Sequence, residues 1–167
     1  MTPTPDFSFS IPSALDIGRI AARLGLALVI GALIGINREL THKPAGLRTH
    51  MLVALGTSLV VVAAVEARMS ASDLSRVIQG LVTGVGFLGG GAILKLTAEH
   101  EIHGLTTAAS IWTTAAASIA AGLGEVATAA LGVALGLVVL GLLAGLERRL
   151  EDRVSPDAAD RKPPRKA

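Results

Sequence analysis

Residues 126–146, VATAALGVALGLVVLGLLAGL, form an uncharged apolar stretch that is long enough to cross a lipid bilayer as a helix. A hydrocarbon core about 30 Å thick needs roughly 20 apolar residues at helical rise. Backbone polar groups find no water inside lipid, so they must bond to one another, and a helix achieves this within a single segment. The stretch therefore predicts a membrane-spanning helix.

The composition of the whole chain agrees with a membrane protein. Hydrophobic residues make up 51% of the chain and charged residues only 17%, and 19 of the 167 residues are glycine. No cysteine is present, which excludes disulfides, thiolate metal sites and cysteine nucleophiles. The formal net charge of +2 is too small to indicate a nucleic-acid partner.

Four further apolar stretches precede the quoted one, and together they predict an all-α, polytopic transmembrane bundle of about five spans. The predicted spans are residues 17–37, 50–66, 77–95, 104–123 and 126–146. The membrane domain then covers residues 17–150. Residues 1–16 form an N-terminal extension that could lie along the membrane interface, and residues 151–167 a disordered basic tail that could attract anionic membrane lipids.

The distribution of lysine and arginine predicts the orientation of the bundle. Five spans place the termini on opposite faces, and eleven basic residues fall on the C-terminal face against four on the other. The positive-inside rule then predicts an outer N-terminus and a cytoplasmic C-terminus. The tail supplies seven of the eleven residues, and without it the count is four against four.

Pairs of glycines four residues apart recur in the first, third and fifth spans, and this spacing lets helix backbones approach closely. The pairs are Gly31/Gly35, Gly80/Gly84, Gly132/Gly136 and Gly141/Gly145. We expect tight glycine-mediated packing. The fifth span could also pair with its own copy, which would make a homodimer.

The glycine-rich segment in the third span matches the dinucleotide-binding pattern G-x-G-x-x-G at positions 84–89, but its context excludes that function. The pattern needs a preceding strand and a following helix, whereas these glycines lie in a membrane-length apolar run. Successive glycines weaken a helix, so we expect a kink or a locally open backbone there. The segment comprises Gly84, Gly86, Gly89, Gly90 and Gly91.

Two other polar concentrations stand out. The segment 37–50 between the first two spans is rich in charge, and Arg48, just before the second span, needs a partner, for which Glu39 is the nearest candidate. Alternatively, these cations only anchor a loop. In the fourth span, hydroxyl residues recur near one helical face and indicate either a polar pathway or ordinary contacts between helices. These residues are Thr106, Ser110, Thr113, Thr114 and Ser118.

Four blocks in fixed order resemble the MgtC/SapB family of bacterial inner-membrane proteins. The blocks are NREL at 37–40, KPAGLRTHMLVALG at 43–56, GVGFLGGGAILK at 84–95 and HGLTTAASIWTTAA at 103–116. The chain is similar to a short form without the soluble C-terminal domain of longer members. The resemblance implies a link to magnesium limitation, to virulence through survival inside macrophages in pathogenic members, and to regulation of membrane proteins such as ATP synthase.

The resemblance also implies candidate functional residues. They are Asn37, Arg38, Glu39, Arg48 and Thr49 around the first loop, the glycine-rich segment, and Thr106, Thr107 and Ser110 in the fourth span. We expect Arg38, Glu39 and Arg48 to form a polar cluster at the cytoplasmic side. The open glycine segment and the hydroxyl face would cap this cluster.

Three classes of function follow from these features. A regulator that contacts other membrane proteins, such as ATP synthase or a transporter, is favoured, because small-residue helix faces suit helix contacts. A magnesium or other ion transporter is the alternative, although no acidic residue falls at mid-membrane. An enzyme is disfavoured, since all four histidines are predicted in loops beside no nucleophile. No cofactor is expected; Mg²⁺ is the one ion considered, and His100 and His103 are weak candidate ligands for a metal.

Overall fold

The computed structural model describes residues 13–94 and 104–143, which form five helices in an all-α bundle. The helices are α1 (Ala14–Leu40), α2 (Leu47–Glu66), α3 (Ala71–Leu94), α4 (Leu105–Leu123) and α5 (Val126–Val138). A π-helical turn, Val139–Leu143, continues α5. The predicted fold class is thus confirmed. The expected N-terminal extension and basic tail lie almost wholly outside the described residues.

Capping interactions explain why two helices begin earlier than predicted. Ser13 and Asp16 form a capping box at the start of α1, in which the Asp16 backbone N–H donates to the Ser13 hydroxyl. At α3 the Asp73 N–H donates to the Ser70 hydroxyl in the same way. Sequence patterning detects the apolar part of a helix, whereas these polar caps set its true start.

Helix α4 lies at the centre of the bundle and contacts each of the other four helices. Helices α1, α2 and most of α3 are long and apolar enough to cross a membrane. Helix α4 does not reach the same mean hydropathy because of its hydroxyl residues, which its neighbours largely cover. The larger buried apolar cluster joins α1, α2, α4 and α5 through Ala27, Ile30, Ile34, Ala54, Ala117, Ala121, Ala129 and Val133.

Glycines bring α1 against α2 at backbone distance. A Cβ atom added at Gly31 would lie 2.7 Å from the His50 carbonyl oxygen, and one at Gly35 would lie 2.8 Å from the Leu47 Cα. No side chain fits at either position unless the helices move apart. This approach brings the end of α1 next to the first turn of α2.

Helix α3 runs without a break from Ala71 to Leu94, so the expected open backbone at the glycine-rich segment is wrong. Each glycine costs only about 1 kcal/mol relative to alanine, and an opened backbone in lipid leaves polar groups unpaired at greater cost. Of the five glycines, Gly89 is the one at which an added Cβ would meet another described helix within 4 Å, at 3.5 Å from Ala108 Cβ. The glycine-rich segment therefore lacks the open backbone that was expected to cap a polar cluster.

Candidate functional site

Arg38 is a buried cation at the junction of α1, α2 and α4. It lies two residues before the end of α1, and its side chain is only 3% exposed. One guanidinium nitrogen, Nη2, donates to the Thr107 hydroxyl at 3.2 Å. Within the described part of the chain, Nε has no hydrogen-bond partner and no carboxylate lies within 4.0 Å of the guanidinium. The charged guanidinium of Arg38 thus has one described side-chain partner, the neutral hydroxyl of Thr107.

His50 is a second fully buried polar side chain at this junction, at 0% exposure in the first turn of α2. Its Nδ1 lies 2.9 Å from the Gly46 carbonyl oxygen and its Nε2 lies 3.1 Å from the Ser110 hydroxyl of α4. The same hydroxyl lies 2.8 Å from the Thr107 carbonyl oxygen. A neutral imidazole has one N–H and the Ser110 hydroxyl has one O–H, so only two donors are available for these three contacts. The Ser110 hydroxyl can therefore donate either to His50 or to Thr107, but not to both at once.

The sequence interpretation placed His50 in a loop, and this was wrong. Helix α2 begins at Leu47, three residues before the predicted span, so His50 is already helical and faces α4. The sequence does contain a sign that His50 is helical, because positions 47, 50, 54 and 57 have the spacing of one helical face. A histidine on that face is buried with the apolar residues around it.

Glu39 caps the N-terminus of α2 from the preceding helix. Its Oε2 accepts a hydrogen bond of 2.9 Å from the Leu47 backbone N–H. Gly46 makes no side-chain cap of its own, and a Cβ there would lie 1.8 Å from Glu39 Oε2. A carboxylate at this end also interacts favourably with the helix dipole. Glu39 and Gly46 thus work as a pair that fixes the turn between α1 and α2.

The structure separates the three charged residues that were expected to cluster. Arg38 contacts α4, Glu39 contacts the start of α2, and Arg48 and Thr49 are exposed. Arg48 has no ion pair within 4.0 Å among residues 13–94 and 104–143. Asn37 is half-buried, and its Oδ1 has no described partner. Of the five predicted residues, Arg38 alone is buried at the junction.

The hydroxyl residues of α4 divide between two sides of the helix. Thr107, Ser110, Thr114 and Ser118 are buried, whereas Thr106 is exposed and Thr113 is half-buried. The Thr114 hydroxyl donates to the Ser110 carbonyl oxygen, as hydroxyls in helices commonly do. The buried hydroxyls of Thr107 and Ser110 contact other helices, namely at Arg38 and His50.

No group of three or more histidine or acidic residues suited to a metal occurs in the described part of the chain. Its acidic residues all lie at or near helix ends: Asp16, Glu39, Glu66, Asp73 and Glu125. The candidate ligands His100 and His103 lie outside the described residues. The one charged group buried in the described bundle is the cation Arg38.

Comparison with known proteins identifies the family. A family model described as the MgtC family matches residues 24–153. The protein SrpB of Synechococcus elongatus is 40% identical over 140 residues, which are 77% of this chain and 77% of SrpB. MgtC of Brucella abortus is 38% identical over 135 residues, or 81% of this chain and 56% of that protein.

YhiD of Escherichia coli, named as a candidate magnesium transporter, is 37% identical over 138 residues, which are 78% of this chain and 63% of YhiD. The chain thus spans little more than half of the Brucella relative and under two thirds of YhiD. No solved structure matches the chain. With a matching family model over most of its length and apolar helices long enough to cross a bilayer, this membrane protein belongs to the MgtC family.

Proposed function

We propose that this protein is a membrane-embedded regulator that acts in magnesium homeostasis by contacting the transmembrane helices of another membrane protein. The name of YhiD and the family resemblance support the link to magnesium. The resemblance also suggests the class of partner, a transporter or the proton-driven ATP synthase. The mode of action rests on a groove between α2 and α3.

This groove has a volume of about 390 Å³ and is open to the surroundings of the bundle. Three glycines stand on its walls, Gly56 on α2 and Gly80 and Gly84 on α3. A Cβ added at any of them would meet nothing within 4 Å. The remaining lining residues are Leu52, Val53, Thr57, Leu81, Val85 and Leu88.

The glycines of this groove carry the proposal, because packing among the described residues does not explain them. Each costs about 1 kcal/mol relative to alanine in a helix. Gly31 and Gly35 offset that cost by allowing a neighbouring backbone to approach, but no backbone of the described residues approaches the groove glycines. Small residues on a lipid-facing helix surface typically allow another helix to approach. A helix of a partner protein therefore suits the groove better than a lipid chain, which gains nothing from glycine.

Transport of Mg²⁺ is the second candidate, favoured by the name of YhiD. Magnesium binds oxygen ligands, usually with one or two carboxylates. The described carboxylates lie at helix ends, and the buried charge is that of Arg38, which repels a cation. The arrangement supports regulation better than it supports a cation pathway.

Site-specific photocrosslinking in native membranes tests the regulator proposal. We expect a crosslinkable amino acid at Leu52 or Leu88 to form an adduct with a second membrane protein, whereas one at exposed Leu135 on α5 does not. Gly84→Leu should fill the groove, remove the adduct and impair growth at low magnesium. Gly86→Leu is the matched control, since Gly86 is an open glycine of the same helix that does not line the groove.

Three outcomes would contradict the proposal: adducts with lipid alone, adducts with a second copy alone, or equal growth of the two leucine variants. Reconstitution into liposomes with a magnesium-sensitive dye distinguishes regulation from the alternative, magnesium transport. Protein-dependent magnesium flux would favour transport over regulation.

A further inference from the structure

Arg38 presents an electrostatic problem that the described chain does not solve. An arginine side chain stays protonated, so burial cannot neutralise it. Burying a charge without a counter-charge is strongly unfavourable, and a single neutral hydroxyl compensates only in part. Yet Arg38 is 3% exposed, with Thr107 as its described side-chain partner and Nε unpaired. An anion from outside the described chain would resolve this.

The start of α4 adds a second set of donors at the same place. Thr107 belongs to the first turn of α4, so its contact brings the Arg38 guanidinium to that helix end. Gly104 has a left-handed backbone (φ 94°), precedes the helical Leu105 and has no side chain with which to cap α4. Such an alternation directs successive N–H groups toward one point and forms an anion-binding concavity. The helix dipole also favours negative charge there.

The two ends of the described bundle differ in charge balance. At the opposite end four basic and four acidic residues balance, with Arg19 paired to Asp16 and Arg23 lying 4.0 Å from Glu66. At the end where α1 stops, which we call the Arg38 end, the charged residues are Arg38, Glu39, Lys43 and Arg48. The single carboxylate among them already accepts from the Leu47 N–H. Among residues 13–94 and 104–143, therefore, the Arg38 end carries three basic residues against one acidic residue.

We propose that Arg38 and the first turn of α4 bind a phosphate group, supplied either by the headgroup of an anionic phospholipid or by free phosphate. The Nε–H of Arg38 has no acceptor, and the first N–H groups of any helix have no partner within that helix. A phosphate presents several oxygen acceptors in a tetrahedral arrangement, whereas a carboxylate presents only two oxygens. Arg38 lies two residues from the end of α1, or about 3 Å along its axis, close to the level of lipid headgroups.

The binding is measured on the purified full-length protein without any partner, so its failure and that of the proposed regulation are distinguishable. One arm titrates inorganic phosphate into protein held in dodecyl maltoside, a detergent without phosphate, with chloride at equal ionic strength as the control. The other arm compares phosphatidylglycerol with phosphatidylcholine nanodiscs in phosphate-free buffer. The readouts are the midpoint of thermal unfolding and, for the first arm, the dissociation constant from calorimetry.

We expect the effective probe to raise the unfolding midpoint saturably, and the arm that responds identifies the source. Arg38→Gln should weaken binding at least tenfold while leaving the fold intact, since the change removes an unpaired buried charge. The matched control, Arg48→Gln, removes an exposed charge from the same end and should leave binding within about twofold. Thr107→Val, which removes the hydroxyl beside the guanidinium, should weaken binding to a smaller extent.

The proposal is overturned if neither phosphate nor phosphatidylglycerol shifts the midpoint beyond the chloride control. Equal loss in Arg38→Gln and Arg48→Gln would also overturn it, because this would show diffuse attraction to a basic surface. Should Arg38→Gln fail to fold, unchanged binding by Thr107→Val would count against the site.

Discussion

The carboxylate of Glu39 at the end of α1 accepts a hydrogen bond of 2.9 Å from the backbone N–H of Leu47, the first residue of α2. The residue that caps α2 thus belongs to the helix before it. The contact fixes both the start of α2 and the angle at which the chain enters it.

Glu39→Ala should lower the free energy of unfolding by about 1 kcal/mol, the usual effect of removing an N-cap. The measurement is equilibrium unfolding in detergent. Glu125→Ala serves as the control, because Glu125 precedes α5 without making a side-chain cap. Equal losses in the two variants would show that the Glu39 contact contributes nothing specific.

Gly46→Ala should destabilise the protein mainly by displacing Glu39, since the new Cβ would lie 1.8 Å from Oε2. The effect should be smaller in a Glu39→Ala background, with a coupling free energy of about 0.5 kcal/mol or more. A double-mutant cycle measures this term directly. Additive effects would mean that Gly46 is needed for another reason.

Gly31→Ala should destabilise the bundle by about 1–3 kcal/mol, because its Cβ would overlap the α2 backbone and force the helices apart. Gly25→Ala in the same helix meets nothing within 4 Å and should be neutral or stabilising by up to about 1 kcal/mol. Thermal unfolding of the two variants side by side gives the comparison. A neutral Gly31→Ala would refute the close contact of α1 and α2.

Trp112 is the single tryptophan of the chain and is 50% exposed. It lies seven residues into α4, about 10 Å from the helix start, and therefore well below the interface that tryptophan usually prefers. We expect its fluorescence to be quenched more strongly by lipids brominated deep in the acyl chain than by those brominated near the headgroup. The reverse order would place α4 differently in the bilayer.

The orientation of the bundle can be tested because the chain contains no cysteine. A cysteine at Lys43 and one at Ser72 occupy exposed positions at opposite ends of the described bundle. The positive-inside rule predicts that a membrane-impermeant maleimide labels Ser72→Cys in intact cells and Lys43→Cys only after lysis. Labelling in the opposite pattern would reverse the topology.

Long apolar stretches were sufficient to predict the number of helices and their approximate ranges, because a helix that crosses lipid needs about 20 apolar residues. They could not predict helix starts such as Leu47, which depends on a carboxylate eight residues earlier in the chain. The sequence also suggested a break at the glycines of α3. The requirement for paired backbone groups in lipid outweighs the weak propensity of glycine there.

The junction was predictable in its composition but not in its pairings. Arg38, Thr107 and Ser110 were all identified from the sequence, yet their partners come from helices separated by more than 50 residues. Charge alone suggested pairing Arg48 with Glu39, whereas the unpaired N–H groups at the start of α2 attract that carboxylate instead. His50 was assigned to a loop because its helix begins before the apolar run does.

The central position of α4 has a consequence for how the protein is made. A helix with so many hydroxyl groups has a weaker tendency to partition into lipid than α1 or α2, which precede it during synthesis. When α4 leaves the ribosome, those earlier helices already offer Arg38 and His50 as partners for Thr107 and Ser110. The order of the helices along the chain therefore suits insertion of this hydroxyl-rich helix into a site that α1 and α2 have already formed.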